Sequence, residues 1–121
     1  MIRRAALILV LSSSAAAAQP VYAVRPIPGY ACAKLNITEH EAMDFHFAVP
    51  IRSAPDPHAA IGTNASAVLL LKQPVHAENG YVEVLQLNGQ PGWIERNRVK
   101  PYDPHARCVP SVLSNGRIGG G

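Results

Sequence analysis

Between Phe45 and Tyr102 the chain is broken every few residues by proline, glycine or an Asn-Gly pair, so only short extended segments fit between the breaks. Phe45, Phe47, Val49 and Ile51 alternate at period two and are expected to share the buried face of a first strand. Pro50 cannot donate to a ladder, so it should sit on an edge or at a bulge. Ser53 to His58 holds two prolines and reads as a loop, as does Gln73 to Gly80. Ala67–Leu71 and Tyr81–Leu87 read as strands. Asn88-Gly89 then predicts a type I′ hairpin turn, which needs positive φ at both central positions. Gly92–Glu95 is the return strand and Val99–Tyr102 a last short one. About five short strands in close succession predict an all-β domain, a small barrel or sandwich.

The flanks differ in character. Val21 to Tyr30 carries Pro26, Pro28 and Gly29 and reads as an extended lead-in. Thr38 followed by Glu41 has the form of a capping box, which predicts a short helical turn over Glu39–Asp44. The tail from Ser114, ending in three glycines, is expected to be mobile and to pack no core.

The first eighteen residues read as an export signal. Arg3 and Arg4 precede an apolar stretch, and small residues at Ala16 and Ala18 suit cleavage before Gln19. A second possible cut follows Ala23. The apolar stretch is short of the ~20 residues that a membrane span needs. Cleavage before Gln19 discards two arginines, and the net charge of +3 falls to about +1. No basic run remains to displace the counterions of a nucleic acid, and no amphipathic membrane helix is visible. A periplasmic or secreted location, in a bacterium, is the expectation.

Cys32 and Cys108 are the only cysteines and stand 76 positions apart. An even count in a small exported domain favours a disulfide. In the chain-entropy model a loop of that length removes about 4.5 kcal/mol of unfolded-state freedom when closed. A reactive thiol pair would want a C-x-x-C spacing or a helix terminus, and neither is present.

The strand order resembles a known pattern. Val49-Pro50-Ile51-Arg52-Ser53-Ala54-Pro55 is similar to the opening strand of the bacterial SH3-like (SH3b) domains, and Ile61-Gly62 to the step that follows it. Asn79-Gly80-Tyr81-Val82-Glu83-Val84 resembles the family's central strand, and Asn88-Gly89-Gln90-Pro91-Gly92-Trp93-Ile94 its hairpin. Asn97, Val99 and Tyr102 fit the closing turn and strand. The likeness covers Phe45 to Tyr102. Together with the signal over 1–18, it divides the chain into an N-terminal extension over 19–44, a single SH3-like barrel over 45–102 and a C-terminal extension with a flexible tail over 103–121. A Cys32–Cys108 bond would then tie the two extensions across one end of the barrel. The Cys108 to Val112 segment also resembles the tail of small exported SH3-domain proteins, a likeness that implies no particular activity.

Nothing in the sequence points to catalysis or a cofactor. Glu39, His40, Glu41, Asp44 and His46 crowd eight positions, but without a spacing that converges three ligands on a metal they read as a solvated turn. No G-x-S-x-G is present, and Glu83 and Glu95 on neighbouring strands read as rim charges. Asn36-Ile37-Thr38 and Asn64-Ala65-Ser66 match the glycosylation pattern by chance in a bacterial chain.

Binding is the expected activity. Matched to the eukaryotic SH3 groove, Tyr81 takes the place of its tryptophan, Glu95 that of its proline and Arg98 that of its tyrosine. The resemblance thus implies a groove of Tyr81, Trp93, Glu95 and Arg98 in which two apolar walls have become charged. A polyproline ligand wants aromatic slots, so a polar or zwitterionic ligand, such as cell-wall peptide, or an envelope protein is the expected partner. A structural or inhibitory subunit with one protein partner is the alternative.

Overall fold

The computed structural model describes residues 5–6 and 19–120. The expected leader falls almost wholly outside those residues, as does Gly121. The chain is all-β apart from one helical turn and a 3-10 turn. Its strands are β1 (Ala23–Pro26), β2 (Tyr30–Leu35), β3 (Pro50–Arg52), β4 (Ile61–Asn64), β5 (Val68–Lys72), β6 (Ala77–Glu78), β7 (Tyr81–Leu85), β8 (Pro91–Glu95), β9 (Val99–Pro101), β10 (Pro110–Leu113) and β11 (Ile118–Gly120). They form two sheets. The larger runs β4-β3-β8-β7-β5-β2-β9, with β6 paired beside β7, and the smaller runs β1-β10-β11. Neither sheet closes on itself: β4 and β9 stand at the two ends of the larger one.

Alternation explains the core. Ala33, Leu69, Val82, Val84, Ile94 and Ile51 occupy one face of β2, β5, β7, β8 and β3, and together with Val49 they are buried. At one end of this face lies the buried amide of Gln86. Its Oε1 accepts from the Thr63 hydroxyl at 2.6 Å, and its Nε2 donates to the Pro91 carbonyl at 3.2 Å. Both ends of the amide are therefore satisfied out of water, which a buried polar group requires. Gly92 leaves room for it: a Cβ there would strike the Ile51 side chain and come within 3.0 Å of the Gln86 amide.

The opposite face of the larger sheet carries Cys32 and Leu70, which are register partners. Leu70 is nonetheless buried, because the smaller sheet covers it: β11 lies against β5, and β10 against β2. The Cys32–Cys108 disulfide joins the two layers. A Cβ on Gly120 would come 2.5 Å from the Cys108 sulfur, so the glycine lets β11 lie flush on the bond.

This arrangement corrects several expectations. The tail is not a loose end. Residues 114–117 turn with Gly116 at φ 81°, and β11 pairs with β10. Small residues allow the close packing that a long apolar run would otherwise supply. The extended lead-in over 21–30 holds β1 and the first residue of β2, and β2 sits inside the larger sheet between β5 and β9.

Phe45 is fully exposed rather than part of a strand face. Asp44 accepts the His46 N–H at 2.9 Å through Oδ1 and the Phe47 N–H at 3.1 Å through its carbonyl, and this local turn breaks the alternation before Val49. Pro50 opens β3 opposite Asn64, and β3 meets β8 only at Arg52, so no β8 residue needs the missing N–H. The ladder irregularity falls one step later, between Ile51 and Arg52. The helix is shorter than expected, Glu39–Ala42, but its capping box is complete: Glu41 N–H donates to Thr38 Oγ1 at 3.1 Å and Thr38 N–H to Glu41 Oε1 at 2.9 Å.

The type I′ turn belongs to the other Asn-Gly pair. Asn79 and Gly80 both have positive φ, 51° and 79°, and join Glu78 to Tyr81 as a two-residue hairpin. In the β7–β8 hairpin only Gly89 is left-handed, at 84°. There Gly89 N–H reaches the Gln86 carbonyl and Gln86 N–H the Gln90 carbonyl, both at 2.9 Å. That is the pattern of a three-residue loop ending in a left-handed glycine. The strand accordingly stops at Leu85.

Gly89→Val should destabilise the fold by about 1–3 kcal/mol, because a β-branched residue is strained at positive φ. Its side chain would also start 3.5 Å from Ile118 of β11. Urea denaturation checks this: an unchanged midpoint would contradict the turn.

Candidate binding groove

Tyr81 sits at the start of β7, immediately after the Asn79-Gly80 turn, and is buried although it belongs to the same strand face as Glu83. Two features hold its surroundings. Arg96 N–H donates to the Gly80 carbonyl at 2.9 Å, and the Asn79 side chain donates to the Pro55 carbonyl at 3.0 Å. The hairpin tip, the end of β8 and the 53–58 loop are thereby fixed to one another. Glu95 stands directly across the ladder from Tyr81.

Tyr81 and Glu95 line two depressions. One, of about 660 Å³, is lined by Pro57, Asn79, Gly80, Arg96 and Asn97 in addition to that pair. The other, of about 100 Å³, adds Phe47, Pro50, Arg52 and Arg98 among its walls. Glu95 and Arg96 are exposed neighbours of opposite charge on this surface. Among the described residues neither makes an ion pair.

Three of the four expected groove residues, Tyr81, Glu95 and Arg98, therefore line one surface, while Trp93 lines neither depression. Two positions back on β8, Trp93 pairs across the ladder with Glu83, and its ring meets the His76 ring edge-on at 5.0 Å. Glu83 in turn bonds Lys72 at 3.0 Å, which raises the lysine above its ordinary value, and approaches His76 at 3.5 Å. Trp93 is thus one member of a packed polar patch on the strand face.

Arg98 reaches the groove already engaged. Its guanidinium forms a two-pronged pair with Glu41, at 3.1 and 3.2 Å, and lies 5.2 Å from the centre of the Phe47 ring. Its Nη1 also donates to the Asn36 carbonyl at 3.3 Å. The arginine therefore clamps the helical turn onto the end of the larger sheet. Its bonds, first of all, hold the Glu41 carboxyl below the usual carboxylate range, with the Thr38 N–H adding to the effect. Of the acidic and histidine residues around the turn, Glu41 is committed to this clamp and Asp44 to the turn at His46.

Sequence reasoning missed Pro57, Asn79, Arg96 and Asn97 as groove walls. The available signal was the Asn79-Gly80 pair itself, since a tight hairpin there brings both ends of the β7–β8 pair to the same edge. No family model, curated protein or solved structure matches the chain. Among the described residues no helix is long and apolar enough to cross a membrane.

The Glu41–Arg98 clamp predicts an acid-sensitive contribution to stability. Because the folded carboxyl titrates below its unfolded counterpart, the contribution is complete above the ordinary carboxylate range. It is lost as pH falls through the folded value. Glu41→Gln should therefore melt below the parent at neutral pH, with the gap closing on acidification. A gap that does not change with pH would remove the clamp from the account.

Proposed function

We propose that the chain is an exported, non-catalytic binding module of SH3-like design, which holds cell-wall peptide or an envelope protein on the surface around Tyr81. The observation that carries this reading is the Tyr81–Glu95 pair, shared by two depressions that Arg96 and Arg52 also line. Fixed charges of both signs offer charge-assisted bonds to a zwitterionic peptide. With Tyr81 largely buried, Trp93 turned to His76 and the Phe47 ring engaged by Arg98, the surface lacks the open aromatic slots that a polyproline ligand wants. The SH3-like reading is supported by the strand order in the sequence and by the short strands of the larger sheet, although that sheet is open.

Export is part of the same proposal. The disulfide suits an oxidising compartment. The Tyr22 N–H and carbonyl both bond Ser114, at 3.1 and 2.8 Å, which favours cleavage before Gln19 over the cut after Ala23 that would discard them. Intact-mass analysis of secreted protein should give a chain beginning at Gln19, and full-length protein in the cytosol would count against export. A second reading, docking on one protein partner, is favoured by the side chains of Met43 and Phe45, both largely or fully exposed beside the helical turn.

The groove is tested by titrating labelled protein with purified stem peptide. Amide shifts should centre on Tyr81, Glu95 and Arg96, and affinity should fall about tenfold or more in Glu95→Gln and Arg96→Gln, the loss of one charge-assisted bond. These exposed positions leave the core intact. No shift at millimolar peptide would refute the groove, and shifts centred on Met43 and Phe45 with an envelope protein would establish the second reading.

A further inference from the structure

On the smaller sheet, away from the Tyr81 surface, lies a cleft of about 470 Å³ lined by Ala23, Val24, Arg25, Pro26, Arg107, Val109 and Ser111. It shares no lining residue with the two depressions around Tyr81. Four consecutive residues of β1 line it.

The strand is a fixed wall. β1 ends the β1-β10-β11 order, so its outer edge has no partner strand among the described residues, and all four of its residues are exposed. It is anchored at both ends. The paired Tyr22–Ser114 bonds hold the start, and Ile27 N–H donates to the Pro110 carbonyl at 2.8 Å beyond the finish. The ladder irregularity between Ala23 and Arg25 and the missing N–H of Pro26 make the outer edge a poor template for another strand, so a ligand here is held by side chains.

Charge gives the ligand its sign. Two arginines and no acidic residue line the cleft. Among the described residues neither Arg25 nor Arg107 forms an ion pair. Arg107 is positioned by its neighbours. Cys108 is bound to β2 through the disulfide, and upstream Asp103 accepts the His105 N–H at 2.9 Å and the Ala106 N–H at 3.1 Å. Between the cations the walls are apolar: Val24, Pro26 and Val109, with the Ser111 hydroxyl turned to the Val109 carbonyl at 2.9 Å.

We propose that this cleft is a second binding site, which takes the carboxylate end of a peptide, with Arg25 and Arg107 holding the carboxylate and the apolar walls holding the residues next to it. Guanidinium groups match carboxylate geometry and bind it through charge-assisted bonds. The apolar walls accept small aliphatic side chains next to the terminus. The site is independent of the Tyr81 groove, and either can fail without the other.

The experiment is an amide-shift titration of the oxidised full chain with an acetylated alanine tetrapeptide carrying a free C-terminal carboxylate, repeated with its C-terminal amide. The free acid should shift Val24, Arg25, Arg107 and Val109. The amide should bind about tenfold more weakly or worse, as should the acid with Arg25→Gln or Arg107→Gln, since each change removes a charged hydrogen-bond partner. Both substitutions are at exposed positions, and an unchanged spectrum elsewhere verifies the fold. Equal binding of acid and amide, no shift at millimolar peptide, or indifference to both substitutions would overturn the proposal. Acetate binding as tightly as the tetrapeptide would also overturn it, because the apolar walls would then contribute nothing.

Discussion

The bond between Cys32 and Cys108 is the constraint on which the rest of the structure depends. Cys32 belongs to β2, next to the end strand β9 of the larger sheet, and Cys108 leads into β10 of the smaller one. Linking them fixes where the second layer lies on the first. Leu70, on the face of β5 turned away from the main core, then becomes a buried residue instead of an exposed one. A leucine withdrawn from water contributes about 1.5–3 kcal/mol. The closure of a 76-residue loop adds its own unfolded-state effect of about 4.5 kcal/mol in the chain-entropy model. For a domain this small, whose total stability is of the order of 5–15 kcal/mol, these are large fractions.

The two candidate binding surfaces depend on this join in different ways. The Tyr81 surface is built entirely by the larger sheet and its loops, held by the Asn79–Pro55 and Arg96–Gly80 bonds at one side and the Arg98–Glu41 clamp at the other. It stands at some remove from the disulfide. The Arg25–Arg107 cleft is lined by β1 and by residues on both sides of Cys108, so the bond acts directly on its shape. A protein with so little core relies on such local ties. Short strands each bring only a few apolar residues inward, and side chain to backbone bonds at the ends of hairpins and turns hold what the core alone would leave loose.

The sequence was most legible where local chemistry decides the structure. The capping box at Thr38 and Glu41, the strands at β5, β7 and β8, the left-handed Gly89 and the pairing of two lone cysteines all follow from residues within a few positions or from simple counting. It was least legible where a distant partner decides. Ala31 to Leu35 is too mixed to announce a strand, and becomes β2 because β5 and β9 flank it on both sides. The glycine-rich end looked unable to pack, yet absence of side chains is what lets Gly120 approach the disulfide. Phe45 shows the opposite error: the alternation was present, but Asp44 turned the chain first. In the groove, Tyr81 and Glu95 face each other across one ladder step and could be paired from the hairpin alone. Trp93 could not be placed that way, because its partner His76 lies in a loop before β7.

If the disulfide is what holds the smaller sheet on the larger, reduction should loosen one before the other. Amide hydrogen exchange on the oxidised and the reduced chain tests this most directly. The account predicts that reduction strips protection from Ser111 to Leu113 and from Ile118 to Gly120, while Val82 to Leu85 and Trp93 to Glu95 keep theirs. Unchanged protection in β10 and β11 after reduction, or loss across both sheets at a single rate, would contradict it.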